Sequence, residues 1–270
     1  MRRPTLQLLL AAALAAYATA LASQPTASVF LEELTSPELA AAIRAGKTTI
    51  LVPIGGTEQN GPHMVLGKHN VRAKVLAGKI ARELGNALVA PVVAYVPEGG
   101  INPPTGHMRY PGTITVPADA YRKVLDSAAR SLRLAGFRDI VFLGDHGDYQ
   151  KDNEMVARQL DREWAGTPVR VYAIVEYYRA ATDGFAKSLK ARGYSGAEIG
   201  LHAGLADTAL ALAVDPGLVR PEQLQSAPGT SALPGVSGDP RRATAALGKP
   251  GIDAIVTQSV AAIRAAVARR

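Results

Sequence analysis

Apolar residues along this chain fall into two rhythms that take turns. The runs "TTILVPI" (48–54), "ALVAPVVAYV" (87–96), "RDIVFLG" (138–144) and "VRVYAIV" (169–175) are short, continuous and rich in β-branched residues. Such runs, bounded by Gly or Pro, predict strands, and continuous apolarity predicts burial on both faces. Between them the period lengthens. In "NVRAKVLAGKIARELG" (70–85), Val71, Val75, Leu76, Ile80 and Leu84 recur at helical spacing, and Gly85 supplies the stop. "PADAYRKVLDSAARSLRLAG" (117–136) and "NEMVARQLDREWAG" (153–166) read as helices in the same way. "TITV" (113–116) reads as a further short strand, "HAGLADTALALAV" (202–214) as a helix of small residues, and "IDAIVTQSVAAIRAAVARR" (252–270) as an amphipathic terminal helix. Residues 97–112 form a Gly/Pro loop, and residues 216–250, rich in Pro, Gly and Ser, predict a long ordered loop that serves as an assembly arm or a lid. Alternating strands and helices predict the α/β class: a mostly parallel central sheet with helices on both faces, three layers in all. Such sheets bind ligands outside the carboxyl ends of their strands, so chemistry is expected just after the strand runs.

The N-terminus changes the picture of where the chain works. "MRRPTLQ" is basic, "LLLAAALAAYATA" is an apolar run of leader length, and "ALAS" offers a small-residue cleavage site after Ala22. Residues 1–22 therefore read as a secretory signal peptide, and residues 23–270 as a single α/β domain, periplasmic or secreted. The leader is too short for a comfortable membrane span, and nothing later reads as apolar enough for one. There is no cysteine, so the domain relies on its core rather than on disulfides, and a Cys-ligated zinc or a cysteine nucleophile is excluded. The formal charge of +7 falls to +5 once Arg2 and Arg3 leave. Those charges are interleaved with acids, and the densest basic spots, "DPRRAT" and the terminal "ARR", lack aromatics, which argues against a nucleic-acid partner.

The polar chemistry falls where an α/β sheet demands it. The five histidines, His63, His69, His107, His146 and His202, all lie in Gly-containing segments and none lies inside a strand run. Glu58 and Asn60 are two apart after the first strand, as are His146 and Asp148 after "IVFLG". Residues i and i+2 of an extended exit point the same way, so two such pairs on neighbouring strands converge. Glu58, His69 and His146 would then offer one carboxylate and two imidazoles to a metal, and three protein ligands with an open position is the catalytic arrangement. Asp148 reads equally as a helix N-cap and as a ligand.

These residues carry a resemblance. "EQNGPHMVLGKH", "PTGHMRYPGTITV", "GFRDIVFLGDHGDYQ", "HAGLADT" and "GVSGDPRRATAALG" resemble, in order, five motifs of the creatininase family of metal-dependent amidohydrolases, over about residues 49–248. The resemblance implies a creatininase-like three-layer sandwich and two divalent ions, zinc or manganese, one on Glu58, His69 and His146 and the other on Asn60, His69 and Asp148. Two positions depart from the family. Residue 69 is an aspartate there, bridging both ions, and residue 60 is a histidine. A neutral imidazole offers one lone pair to one metal, and asparagine is a poor zinc ligand. Both changes strike the second site. The expectation is therefore one ion per subunit, Zn or Mn, on Glu58, His69 and His146, with Asp148 as a further ligand or a base and Asn60 hydrogen bonding substrate or metal water.

The resemblance further implies hydrolysis of a C–N bond in a small cyclic or linear amide. His202 matches a family histidine and is assigned acid or oxyanion duty, while His63, His107 and Asp207 match positions that line the pocket or orient ligands. Leu201 and Leu205 stand where glutamates occur in the family, which argues against creatinine itself. A homo-oligomer, hexameric by resemblance, is expected. Two other readings stay open: a non-catalytic exported binding protein on a degenerate scaffold, and a hydrolase of a lactone or phosphoester.

Overall fold

The computed structural model describes residues 28–225 and 235–269; the leader and its cleavage site lie outside them, as do residues 226–234 of the long loop. In chain order the elements are α1 (Ser36–Arg44), β1 (Thr49–Ile54), α2 (Lys68–Leu84), β2 (Ala87–Val89), α3 (Ala118–Ala135), β3 (Asp139–Gly144), α4 (Gln150–Glu163), β4 (Arg170–Ala173), α5 (Val175–Arg179), α6 (Phe185–Ala191), α7 (Gly196–Ile199), α8 (Leu205–Val214), α9 (Pro221–Gln225) and α10 (Ala245–Ala268). The four strands pair in parallel in the order β2-β1-β3-β4.

Alternation along the strands divides the core. Ile50, Val52, Ile54, Ile140 and Phe142 face α3 and α4, where Tyr121, Leu125, Val156 and Leu160 meet them. Leu51, Val141 and Leu143 face the opposite layer of α2, α5, α6, α8 and α10. Every residue of β1 and β3 is buried, as expected of strands covered on both sides. Pro91 cannot donate a ladder bond. The strand expected over residues 87–96 accordingly ends at Val89, with an isolated bridge from Ile54 to Val93 beyond it.

Four expectations need correction. "TITV" is not a strand; Ile114 makes a single bridge to Thr57, because that segment crosses the strand exits instead of joining the sheet. The strand expected over residues 169–175 ends at Ala173, and residues 176–199, which no sequence pattern assigned, continue from Val175 as α5, α6 and α7, with a π-turn at Ala180–Gly184. The terminal helix starts at Ala245, inside the expected loop, because Thr244 Oγ1 caps it by accepting from Leu247 N; Pro250 is carried within it. By length and composition α10 is also apolar enough to cross a membrane, contrary to the sequence reading. Its Leu247, Ile252, Ile255, Val260 and Ile263 are core residues.

The topology fixes where a site belongs. From β1 the chain crosses to β2 on one side, then returns to place β3 on the other. The crevice at a reversal of strand order, beyond the carboxyl ends, is the ligand site of open α/β sheets. Ile54 and Gly144 are in register at those two ends. Glu58 lies four residues past the first, and His146 two past the second.

Candidate metal centre

One hydroxyl ties the two strand exits together. Tyr149, fully buried at the start of α4, donates to Gly55 O at 2.6 Å and accepts from Asp145 N at 3.1 Å and His146 N at 2.9 Å. The side chains that leave these exits divide into two groups of opposite character.

The first group is saturated with partners. Lys68, His69 and Arg72 stand on the first turn of α2 and point at the sheet end. His69 donates from Nε2 to Glu58 Oε1 at 2.7 Å and from Nδ1 to Asp145 Oδ2 at 2.6 Å. Burial works against a charged imidazole, as does Lys68, but the two carboxylates outweigh them and raise its pKa. Arg72 forks between Asp145 (Nε to Oδ2, 2.9 Å) and Asp207 (Nη1 to Oδ1, 2.9 Å). Lys68 also bonds Asp207 and stands 3.6 Å from Glu58 Oε1, and Tyr177 donates to Asp145 Oδ1 at 2.7 Å. Burial would lift the Asp145 and Asp207 carboxyls; Arg72 for the first, and Lys68 with Arg72 for the second, hold both below their ordinary range.

The second group lacks partners. Glu58 is wholly buried, and its Oε2 accepts no hydrogen bond from any described residue. It faces His107 Nε2 at 3.2 Å and His146 Nε2 at 3.6 Å. The donor atoms of Glu58, His107 and His146 all lie within 4.8 Å of one another. Burial resists the Glu58 charge, yet His69, Lys68 and His146 together keep it ionised. Burial lowers His146 to about 4, so its ring is neutral at pH 7 and offers a lone pair. Two imidazoles and a carboxylate form one of the donor sets of catalytic zinc, so these residues fit a divalent ion. Gln59 Nε2 stands 2.9 Å from His107 Nδ1. Coordination through Nε2 therefore needs the His107 ring proton on Nδ1 and the Gln59 amide turned to receive it.

The structure places the other expected site residues as follows. His69 belongs to the saturated group: both ring nitrogens donate to carboxylates, so neither offers a lone pair. Asn60 Nδ2 donates to Glu58 O (2.9 Å) and Val65 O (3.0 Å), shaping its own loop, while its buried Oδ1 finds no partner. Asp148 is exposed and groups with Glu98 and His146. His202 donates from Nε2 to Gln59 O at 2.9 Å, leaving Nδ1 3.7 Å from Glu58 Oε1; burial, with Lys68, lowers its pKa to about 4. His63 is buried against Thr208 Oγ1 (3.1 Å) rather than lining the cavity. Asp207 anchors the cations of α2. Sequence reasoning missed Glu98, Asp145, Lys68, Arg72 and Tyr149. The i, i+4 spacing of Lys68 and Arg72 around His69 was available as a signal; Glu98, alone in a Gly/Pro loop, left none.

A cavity of about 640 Å³ opens beside this centre, lined by His146, His202, Lys68, Arg72, Tyr178 and Leu201 among others. Residues 32–263 match the family model described as Creatininase: Creatinine amidohydrolase. Creatinine amidohydrolase of Pseudomonas putida is 27% identical over 197 residues, covering 71% of this chain and 74% of that protein. The mycofactocin precursor peptide peptidase of Mycobacterium ulcerans is 28% identical over 225 residues, covering 74% and 78%. Among solved structures, one titled "Creatininase Mn" superposes with a TM-score of 0.69 at 25% identity, covering 88% of this chain and 98% of that one.

Proposed function

Because the chain belongs to the creatininase family, metal-dependent hydrolases of amide-like bonds, we propose that it cleaves a C–N bond at one catalytic ion, Zn²⁺ or Mn²⁺, held by Glu58, His107 and His146. The observation that carries this reading is the Glu58 carboxylate: ionised, buried, and with Oε2 turned to two imidazole nitrogens and to no hydrogen-bond donor. The set exchanges His69 for His107, since His69 spends both nitrogens on carboxylates. Lys68, His69 and Arg72 put positive charge where the resemblance would place a second ion, and like charge repels it.

A bound divalent ion supplies a water acidified toward neutral pH and a Lewis-acid contact for the carbonyl. The chain supplies the rest. With its Nε2 proton committed to Gln59 O, His202 presents Nδ1 as a lone pair toward the centre, and its low pKa keeps it neutral. It is placed to accept a proton there and return it to the leaving nitrogen. Lys68 and His69 hold Glu58 from its Oε1 side, which fixes the direction of Oε2. Asp148 lies on the other side of His146, its main-chain N 3.4 Å from Nδ1.

The substrate is an amide within a molecule larger than a small lactam. The 640 Å³ cavity favours this, as do Leu201 and Leu205 in place of carboxylates and the peptidase name of one relative. Export rests on the N-terminal leader, and assembly into a homo-oligomer, a hexamer by resemblance, on the family likeness; Leu134 and Leu201, 90% and 96% exposed, suit a covered surface. The test is elemental analysis alongside turnover of cyclic amides, formamides, short peptides, lactones and phosphoesters. The catalytic ion, read as one metal equivalent fewer than wild type, and amide hydrolysis should be lost together in Glu58→Gln and His107→Ala. Wild-type protein that binds no metal and turns over nothing is a non-catalytic scaffold, and turnover of lactones or phosphoesters alone overturns the amide assignment. N-terminal sequencing of exported protein and light scattering test location and assembly.

A further inference from the structure

His146 has a second edge. Its Nε2 faces Glu58 and His107, while its Nδ1 faces the other way, 3.7 Å from Glu98 Oε2 and 3.4 Å from Asp148 N. Glu98 is wholly buried, and neither of its oxygens has a hydrogen-bond partner among the described residues. A buried carboxyl with nothing on either oxygen is costly, whether ionised or not. Its place is nevertheless built. Glu98 N donates to Thr115 Oγ1 at 3.0 Å, and Oε1 lies over Gly56, where an added Cβ would come within 2.5 Å of it. Gly56, at φ +151°, is a conformation that favours glycine as well. The donor atoms of Glu98, His146 and Asp148 lie within 4.8 Å of one another.

We propose that Glu98, Asp148 and His146 Nδ1 form a second divalent-cation site, on the opposite edge of the imidazole that serves the catalytic ion. Two carboxylates and one nitrogen suit Mn²⁺ or Zn²⁺. This site does not use Asn60 or His69, the positions that resemblance gives to a second ion; it lies across His146 from the cations of α2. It goes beyond the catalytic reading and stands without it, since Glu98 and Asp148 are not ligands of the first ion. Were both ions bound, His146 would give up its ring proton to solvent and serve one ion through each nitrogen. The second ion then fixes the ring plane and thereby the direction of Nε2.

The experiment is equilibrium dialysis of the full chain against Zn²⁺ alone, with metal counted by elemental analysis and folding checked by circular dichroism. Wild type should take two equivalents. Glu98→Gln, nearly the same shape, and Asp148→Asn, at the exposed end of the site, should each take one. His107→Ala should also take one, lost from the other side. Wild type stopping at one equivalent overturns the proposal, as does retention of two in both Glu98→Gln and Asp148→Asn. A single equivalent whose affinity falls in Glu98→Gln also overturns it, because Glu98 would then only orient His146. Failure of the catalytic reading shows separately, as His107→Ala that retains hydrolysis.

Discussion

Two clusters meet at the end of the sheet, and they are built on opposite principles. Lys68, His69, Arg72, Asp145, Asp207 and Tyr177 satisfy one another: each cation has a carboxylate and Asp145 collects three donors. A few ångströms away, Glu58 Oε2 and both oxygens of Glu98 are just as buried and have no hydrogen-bond partner among the described residues. Both clusters gather titratable groups under cover, though burial pushes the Glu98 carboxyl up to about 9 and His146 down to about 4, so titratable groups alone do not mark a site. A closed network holds structure, while buried polar atoms left open toward one another hold a place for something else. Glu58 belongs to both, with Oε1 in the first and Oε2 in the second.

The largest effect should come from the open cluster. Glu58→Gln or His107→Ala should lower amide hydrolysis by about 10³-fold or more, since water activation and several kcal/mol of charge stabilisation go with the ion. Steady-state kinetics with metal analysis of the same preparations checks this, and full activity in either variant would erase the division. The closed cluster should respond in stability instead. Arg72→Met leaves the buried Asp145 without its main cation and Asp207 with Lys68 alone, and should cost about 3 kcal/mol or more in urea unfolding. Stoichiometric metal should remain. Third, His202→Gln should lower kcat by about 10²-fold with metal content unchanged, because the residue moves a proton and binds no ion.

The closed cluster also sets the response to acid. Asp145 and Asp207 are held below the ordinary carboxylate range in the folded state. A carboxyl lowered on folding contributes stability that is fully present above its unfolded pKa, near ~3.9, and is lost as pH falls through the folded value. Acid unfolding of the metal-free protein, followed by circular dichroism, should therefore begin at higher pH in Asp207→Asn than in wild type. Tyr149→Phe should have the smallest effect, about 1–2 kcal/mol, from main-chain groups left without their hydroxyl.

Much of this was legible in the sequence. β1 and β3 announced themselves as continuous apolar runs, and placing chemistry just beyond them located Glu58 and His146 at the switch point. What the sequence could not show was which way each side chain turned. On paper His69 was the ligand and His107 a pocket residue; α2 turns the first toward Asp145, while the 97–112 loop, stitched by Gln59 and Thr113, turns the second toward Glu58. Glu98 was invisible for a related reason. Its role depends on a fold-back over Gly56 that brings together residues 42 apart, and no local period encodes that. Asn60 looked like substrate chemistry and serves its own loop instead, as asparagines in tight turns often do.

The hydroxyl of Tyr149 has a consequence for how this centre can change. Because it grips the main chain at Gly55, Asp145 and His146, where Asp145 N also donates to Ile54 O at 3.0 Å, the separation between the two ligand-bearing exits is held at the strand ends and not by the loops that wall the cavity. Those walls can be rewritten to admit a different molecule while the gauge between the metal ligands stays constant. New specificity on this scaffold should therefore be sought among the cavity-lining residues Tyr178, Arg179, Thr182, Asp183 and Leu201, with Tyr149 left alone.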